Sequence, residues 1–376
     1  MLHAVPREEA RRSLSAALCA GTHRESHVAD GTLATVGVPL IPTCEPPPAD
    51  DLVSRQRELL LEALRPLVPA DGRYALLDYP AHANVGDSAI WLGALEAFRL
   101  LGAGRPAYTC CVSTYHAGVL RRRVGSGPIF LSGGGNLGDL YPHHQKLRER
   151  AARDFPDRAI VQLPQAIHFD RTDTQAVARE VFGAHPNLTL FVRDRQSLAR
   201  ALDGLGVHAH LAPDMAFALP RPARPAASTQ DVVWLLRGDD EVRGAALSLP
   251  AGGSTVDWMA ESQGGLVGYQ RRLTRHVHAK PSRRLLAHLL RRTYTPTAQR
   301  RLDRGIELLA SGRLVVTDRL HGHVLCVLLG IPHVLLDNRY GKNRALYEAW
   351  THDVPFVRWA ERDEGAVADA LEDLRR

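Results

Sequence analysis

Gly312-Arg-Leu-Val-Val-Thr-Asp-Arg-Leu-His-Gly-His-Val-Leu-Cys-Val-Leu-Leu-Gly-Ile-Pro332 changes its period once, and that change decides the fold class. Leu314 to Val316 make a short apolar run of buried-strand type, whereas Leu325, Leu328 and Leu329 recur at helical intervals until Gly330 and Pro332 stop the helix. The stretch reads as strand, turn, helix, with Arg319 and His321 at the joint. A helix start presents free N–H groups and the positive end of its dipole, so with a guanidinium beside it the joint suits an anion. A phosphate or carboxylate ligand is expected there.

Working outward, similar apolar runs occur at Arg73 to Tyr79, Pro128 to Ser132, Ala159 to Leu163, Leu188 to Val192, Asp231 to Arg237 and His333 to Asp337, with helical segments between them. Such alternation marks βαβ units on parallel sheets. The fold expected is α/β, with two Rossmann-like domains facing a cleft. Residues 1–50 read as an arm, 51–220 as the first domain, 221–229 as a Pro-rich linker, and 230–376 as the second domain with a basic insert at 270–304. In open parallel sheets ligands bind beyond the carboxyl ends of strands, and each candidate site below falls at such an end.

At 376 residues and 45% hydrophobic, the chain can bury two cores. No apolar stretch approaches the length of a membrane span and no signal-peptide core opens the chain, so a cytosolic protein is expected. Five cysteines without a C-x-x-C pair indicate neither a disulfide framework nor a zinc site. His321-Gly-His323 has i, i+2 spacing, which turns the two rings to different sides of a helix, so no metal is assigned. Nothing sets the oligomeric state, and a homo-oligomer stays open.

Other strand ends add candidates. In Tyr79-Pro-Ala-His-Ala-Asn-Val-Gly-Asp-Ser-Ala-Ile-Trp91, Asn84 and Asp87 could meet a sugar hydroxyl or a phosphate, with Asp87 or Ser88 capping the helix that follows and Asp87 alternatively a general base. Leu131-Ser-Gly-Gly-Gly-Asn136 lets the backbone of Gly133, Gly134 and Gly135 approach a ligand, yet matches neither Walker A nor a dinucleotide fingerprint. Gln165 and His168 follow another strand. Arg193 is a candidate second anion clamp, with a salt bridge to a carboxylate as its other reading, and Asp214 could orient an arginine.

Between Arg271 and Arg304 eleven Lys/Arg face one acid, Asp303, in a chain of net charge +6. Leu285, Leu286, Leu289 and Leu290 form a stripe that would suit either an anionic membrane surface or ordinary packing on the domain. Aromatics are not interleaved through the run, so nucleic acid is not expected.

Taken together, Asn84-Val-Gly-Asp-Ser-Ala-Ile-Trp91, Leu131 to Asn136, Val192-Arg-Asp-Arg195, Ala212-Pro-Asp-Met215, Thr317-Asp-Arg-Leu-His-Gly-His323 and Leu336-Asp-Asn-Arg-Tyr-Gly-Lys342 resemble the polysaccharide pyruvyl transferase family. The resemblance implies a fold similar to glycosyltransferase type B and transfer of pyruvate from phosphoenolpyruvate to a sugar as a ketal, without a further cofactor. The acceptor would be a polysaccharide or a lipid-linked oligosaccharide, which would bring the enzyme to the inner face of a membrane. By the same resemblance Arg319, Leu320, Gly322 and Arg193 bind the donor, His321 is the acid, and Asn338 and Lys342 join the substrate site. A type-B-like glycosyltransferase using a nucleotide sugar and a membrane-associated polysaccharide assembly protein are the alternative readings.

Overall fold

The computed structural model describes residues 49–376 except 71, 225–227, 240, 245–246, 248–254, 260–263 and 280–283. The expected arm at 1–50 thus falls almost wholly outside the described residues, as do the middle of the Pro-rich linker and the Lys280 to Arg283 stretch of the basic segment.

Helix α1 (Ala49–Leu64) precedes a first sheet built from β1 (Ala75–Leu77), β2 (Tyr108–Cys110), β3 (Ile129–Leu131), β4 (Gly134–Gly138), β5 (Ile160–His168), β6 (Leu188–Val192) and β7 (Ala209–Leu211). The order is β2-β1-β3-β5-β6-β7, with β4 also pairing β5, and every pairing is parallel. Helices α2 (Val85–Leu100), α3 (Ala117–Val124), α4 (Pro142–Asp154), α5 (Thr172–Gly183) and α6 (Arg195–Ala199) connect its strands. The apolar strands are buried on both faces, as a parallel sheet between helices requires.

The second sheet is also parallel, in the order β12-β11-β10-β8-β9. Its strands are β8 (Gln230–Leu235), β9 (Thr255–Val256), β10 (Gly312–Thr317), β11 (His333–Leu335) and β12 (Val357–Trp359). With them go α7 (Gly265–Ala279), α8 (Arg284–Ala310), α9 (Leu320–Leu329), α10 (Lys342–Leu346) and α11 (Glu364–Arg375). The opening stretch behaves as its period predicts: β10 is central, and α9 starts immediately after Arg319 and ends at Gly330 in the left-handed region at φ 67°. All ten residues of α9 are buried, so this helix lies inside the molecule.

One apolar cluster joins α2, the 215–218 turn, α8 and α9. Gly93 of α2 packs so tightly on that turn that a Cβ there would stand 2.0 Å from the Met215 carbonyl oxygen. The basic segment contributes to this core. Leu290 is fully buried and Leu286 and Leu289 pack against the cluster, while Tyr294 stacks on Tyr79 at 3.8 Å and its hydroxyl accepts from the Cys111 N–H. The described leucines of the stripe are therefore consumed by packing, which leaves Arg271, Arg272, Arg275, Arg292 and Arg300 exposed. Among the described residues no helix is long and apolar enough to cross a membrane.

Candidate active site

Beyond the carboxyl ends of both sheets lies a cleft of about 390 Å3. On the first-sheet wall, β1 is followed directly by Asp78, a non-glycine residue at φ 69°, in the left-handed region that β-carbons resist. Its carboxylate accepts from His144 Nδ1 at 2.7 Å and lies 3.4 Å from Arg148 Nη2. Burial alone would raise the Asp78 carboxyl, but His144 and Arg148 more than offset it and hold the group below its ordinary value.

Six residues later the α2 cap departs from the sequence reading. Asn84, not Asp87 or Ser88, caps the helix: its backbone is extended at φ −91°, ψ 119°, and its Oδ1 accepts from the Gly86 N–H at 2.9 Å. Asp87 already lies in the first turn, so its side chain is free to meet His82 Nε2 at 2.6 Å. Against the pull of burial, that hydrogen bond lowers the Asp87 carboxyl to about 2. His82 in turn is raised, since Asp87 outweighs the burial that would lower it.

The glycine run is not the open nest that three successive glycines suggested. Gly134 opens strand β4, and a Cβ on Gly133 would meet the Pro164 carbonyl at 2.7 Å. A Cβ on Gly135 would meet Arg193 Nη2 at 2.9 Å. These positions are small because a strand and a guanidinium press against them, and only Gly135 and Asn136 of the run line the cleft. Gln165 is also corrected: it is fully buried and clamps Asn136, accepting from its N–H at 3.1 Å and donating to its Oδ1 at 2.8 Å. His168 lies outside the cleft lining, paired with Asp170 at 2.9 Å. Gly322 is likewise a packing residue, because a Cβ there would reach Thr317 Oγ1 at 2.6 Å.

Arg193, at the end of β6, lines the cleft and donates to Asp214 Oδ2 at 2.7 Å, so both of its sequence readings apply. Asp214 does more than orient an arginine. His321 Nε2 stands 3.4 Å from the same Oδ2, an ion-pair distance slightly beyond a good hydrogen bond. His321 and Arg193 hold the Asp214 carboxyl well below its ordinary range despite full burial. The His321 ring also explains Gly86, where a Cβ would come within 2.5 Å of Nδ1.

The second His of the motif goes elsewhere, as the spacing predicted. His333 Nδ1 lies 2.8 Å from the Ile331 carbonyl, to which it must donate, so its Nε2 accepts from His323 Nδ1 at 2.7 Å. His323 Nε2 then accepts from the Thr351 hydroxyl at 2.8 Å. Every ring nitrogen is satisfied with both rings neutral. Burial pushes His333 down to about 4 and holds His323 well below the ordinary imidazole value.

The second-sheet wall carries fixed cations. Arg319 Nη2 donates to Asp257 Oδ1 at 2.8 Å and lies 3.9 Å from Asp239, while its buried Nε has no partner among the described residues. Arg237, at the end of β8, grips Asp239 through two bonds of 2.8 Å and lies 3.2 Å from Glu241. Lys342 Nζ stands 3.5 Å from both Glu241 and the Gly135 carbonyl across the cleft. Leu320 and Asn338 complete this wall. Among the described residues no group of three or more His, Cys, Asp or Glu could hold a metal ion.

His82, Tyr141, His143, His144, Arg237, Asp239 and Glu241 line the cleft but were not picked out in the sequence. Arg237 carried a usable signal, because it closes an apolar run two residues past the end of β8. The acids after it carried none, since only the fold shows that they turn back onto Arg237 and Arg319.

Comparison with known proteins bears on the same residues. The family described as Polysaccharide pyruvyl transferase matches residues 84–340, a span that starts at the α2 cap and reaches almost to Lys342. Pyruvyl transferase 1 of Schizosaccharomyces pombe is 31% identical over 328 residues, covering 81% of this chain and 76% of that one. EpsO of Bacillus subtilis is 30% identical over 302 residues, covering 79% and 91%. In structure, the chain is similar to an uncharacterised protein of Klebsiella pneumoniae, with a TM-score of 0.51 at 18% identity over 82% of this chain and 98% of that one. That likeness supports the α/β fold of parallel sheets, and the match over most of the cleft decides the rest: the chain belongs to the polysaccharide pyruvyl transferase family.

Proposed function

We propose that the protein transfers pyruvate from phosphoenolpyruvate to a sugar hydroxyl pair of a polysaccharide or lipid-linked oligosaccharide, forming a ketal. The observation that carries the reading is Arg319 beside His321 at the start of α9, with Asp214 behind the imidazole. A small donor with two anionic groups needs cations and a proton source within one cleft, and these residues supply both. The two-sheet arrangement is read as similar to glycosyltransferase type B, with 51–220 the acceptor side and 230–376 the donor side.

In this mechanism His321 protonates C3 of the enol, and C2 becomes an oxocarbenium centre. One sugar hydroxyl adds to C2 and gives up its proton, which returns to the base form of His321. Phosphate then leaves, breaking the C2–O bond. A second hydroxyl closes the ketal, and its proton leaves with the phosphate. Asp214 places a buried carboxylate behind the imidazole, 3.4 Å from its Nε2. Asp87 is a weak base, because the hydrogen bond with His82 holds its carboxyl at about 2, so the His82–Asp87 couple is assigned to orient the attacking hydroxyl while His321 takes its proton. Any contact of the 270–304 face with a lipid surface would rest on its exposed arginines and be weakened by salt.

The test is incubation with phosphoenolpyruvate and candidate oligosaccharides, following phosphate release and the mass of the sugar. Stabilisation by nucleotide sugars but not by phosphoenolpyruvate in thermal unfolding would favour a glycosyltransferase instead.

A further inference from the structure

The cleft already holds an anion, and it belongs to the protein. The Glu241 carboxylate receives the Tyr141 hydroxyl at 2.9 Å, lies 3.2 Å from Arg237 and 3.5 Å from Lys342, and accepts weakly from Asn338 Nδ2 at 3.4 Å. Four donors from both walls thus converge on one side chain, the arrangement a protein uses for a bound carboxylate or phosphate. Three of the four follow strands of the second sheet, and Tyr141 reaches over from the first. Asp239 continues the cationic row, touching Arg237 at 2.8 Å and Arg319 at 3.9 Å. Arg319 keeps a buried Nε with no partner among the described residues, so this row is not saturated by its own acids.

Arg193 is less available for this purpose. It is bonded to the buried Asp214 carboxylate at 2.7 Å, and Gly135 backs it so closely that a Cβ there would stand 2.9 Å from its Nη2. A donor with two anionic groups, held at one end by Arg319, can meet Arg237 and Lys342 in the same cleft at its other end, where Glu241 now sits. Glu241 itself is a short distance in sequence from Arg237 and is fixed by polar bonds alone, so exchanging it for another anion leaves the apolar core untouched.

We propose that Arg237 and Lys342, with Tyr141 and Asn338, form a second anion subsite beside Arg319, and that Glu241 is the resident counter-ion which the donor's carboxylate or phosphate displaces. The identity of the anion rests on the pyruvyl donor reading; the existence of the subsite does not. Displacement also cuts the Tyr141–Glu241 bond across the cleft, so donor occupancy loosens one tie between the walls.

Isothermal titration of the full chain with inorganic phosphate and with phosphoenolpyruvate separates the two claims. Glu241→Gln, which keeps the shape but removes the competing charge and one of the two accepting oxygens, should bind both anions about tenfold more tightly. Lys342→Met should bind both about tenfold more weakly, each change near the 1.4 kcal/mol that a decade represents. Unchanged affinities for both anions in Glu241→Gln, with a raised KM for the sugar, would overturn the subsite and make Glu241 an acceptor ligand. If phosphate responds as stated while phosphoenolpyruvate binds none of the proteins, the subsite stands and the donor reading falls.

Discussion

On the first-sheet wall of the cleft the ionisable groups come as couples of acid and imidazole, His82 with Asp87 and His144 with Asp78. On the second-sheet wall they are cations, Arg237, Arg319 and Lys342, neutralised by nearby carboxylates. The difference separates two tasks that one side chain does poorly together. A guanidinium holds an anion at any working pH but cannot exchange protons, whereas an imidazole exchanges protons but holds charge only part of the time. His321 belongs by sequence to the cationic wall and by contact to the other, since Asp214 and Gly86, which flank its ring, both precede the second sheet in the chain.

Removing that bridging residue should have the largest effect. His321→Ala should lower kcat by about 10²- to 10⁴-fold, the usual range for a lost general acid, with phosphoenolpyruvate binding retained in titration. Normal turnover would end its assignment. On the cationic wall the split should invert: Arg319→Ala should raise the donor KM by roughly ten- to a hundredfold, as expected for a charged hydrogen bond worth about 1.5–3 kcal/mol, with a smaller change in kcat. If kcat falls and donor affinity is kept, the division of labour between the walls is wrong.

Asp214→Asn sharpens the comparison because it touches both tasks. It keeps the shape of the side chain while removing the charge beside Arg193 and His321. Both kcat and donor affinity should fall by roughly tenfold, as for the loss of a charged hydrogen bond worth about 1.5–3 kcal/mol. A lowered melting temperature with both constants unchanged would leave Asp214 a purely structural partner.

Stability against pH gives the smallest effects, with opposite signs in two places. His323 and His333 are depressed by burial, so the unfolded chain binds their protons first. Their contribution is present above about pH 6.5 and is lost as pH falls toward about 4. His82 is raised by Asp87, so its contribution is full below about 6.5 and fades as pH rises through its folded value. Thermal unfolding from pH 4 to 9 should show the acid limb flattened in His333→Gln and the alkaline limb flattened in His82→Gln. The same limb moving in both variants would contradict the assigned signs.

Much of the architecture was legible because parallel strands announce themselves by composition. The runs at 188–192 and 314–317 became β6 and the end of β10, and the Asp194 cap and Gly330 stop act as helix-end chemistry dictates. The basic segment was half legible: its leucine stripe is real, but a stripe does not say whether lipid or protein covers it, and here the described leucines meet protein. Gln165 and His168 show the reverse failure, since a polar residue after a strand can turn toward a neighbouring strand as readily as toward the cleft.

The sequence by itself determined the strand-turn-helix joint, the placement of Arg319 and His321 on it and the family, because local period, caps and ordered motifs are properties of neighbours along the chain. Only the tertiary structure decided that Asp214 serves both Arg193 and His321, that Gly86 is small for the sake of an imidazole, and that Glu241 occupies the cationic row. Each of these joins residues from separate strand ends, and the distance between such residues is set by how the two sheets pack, which no local pattern encodes.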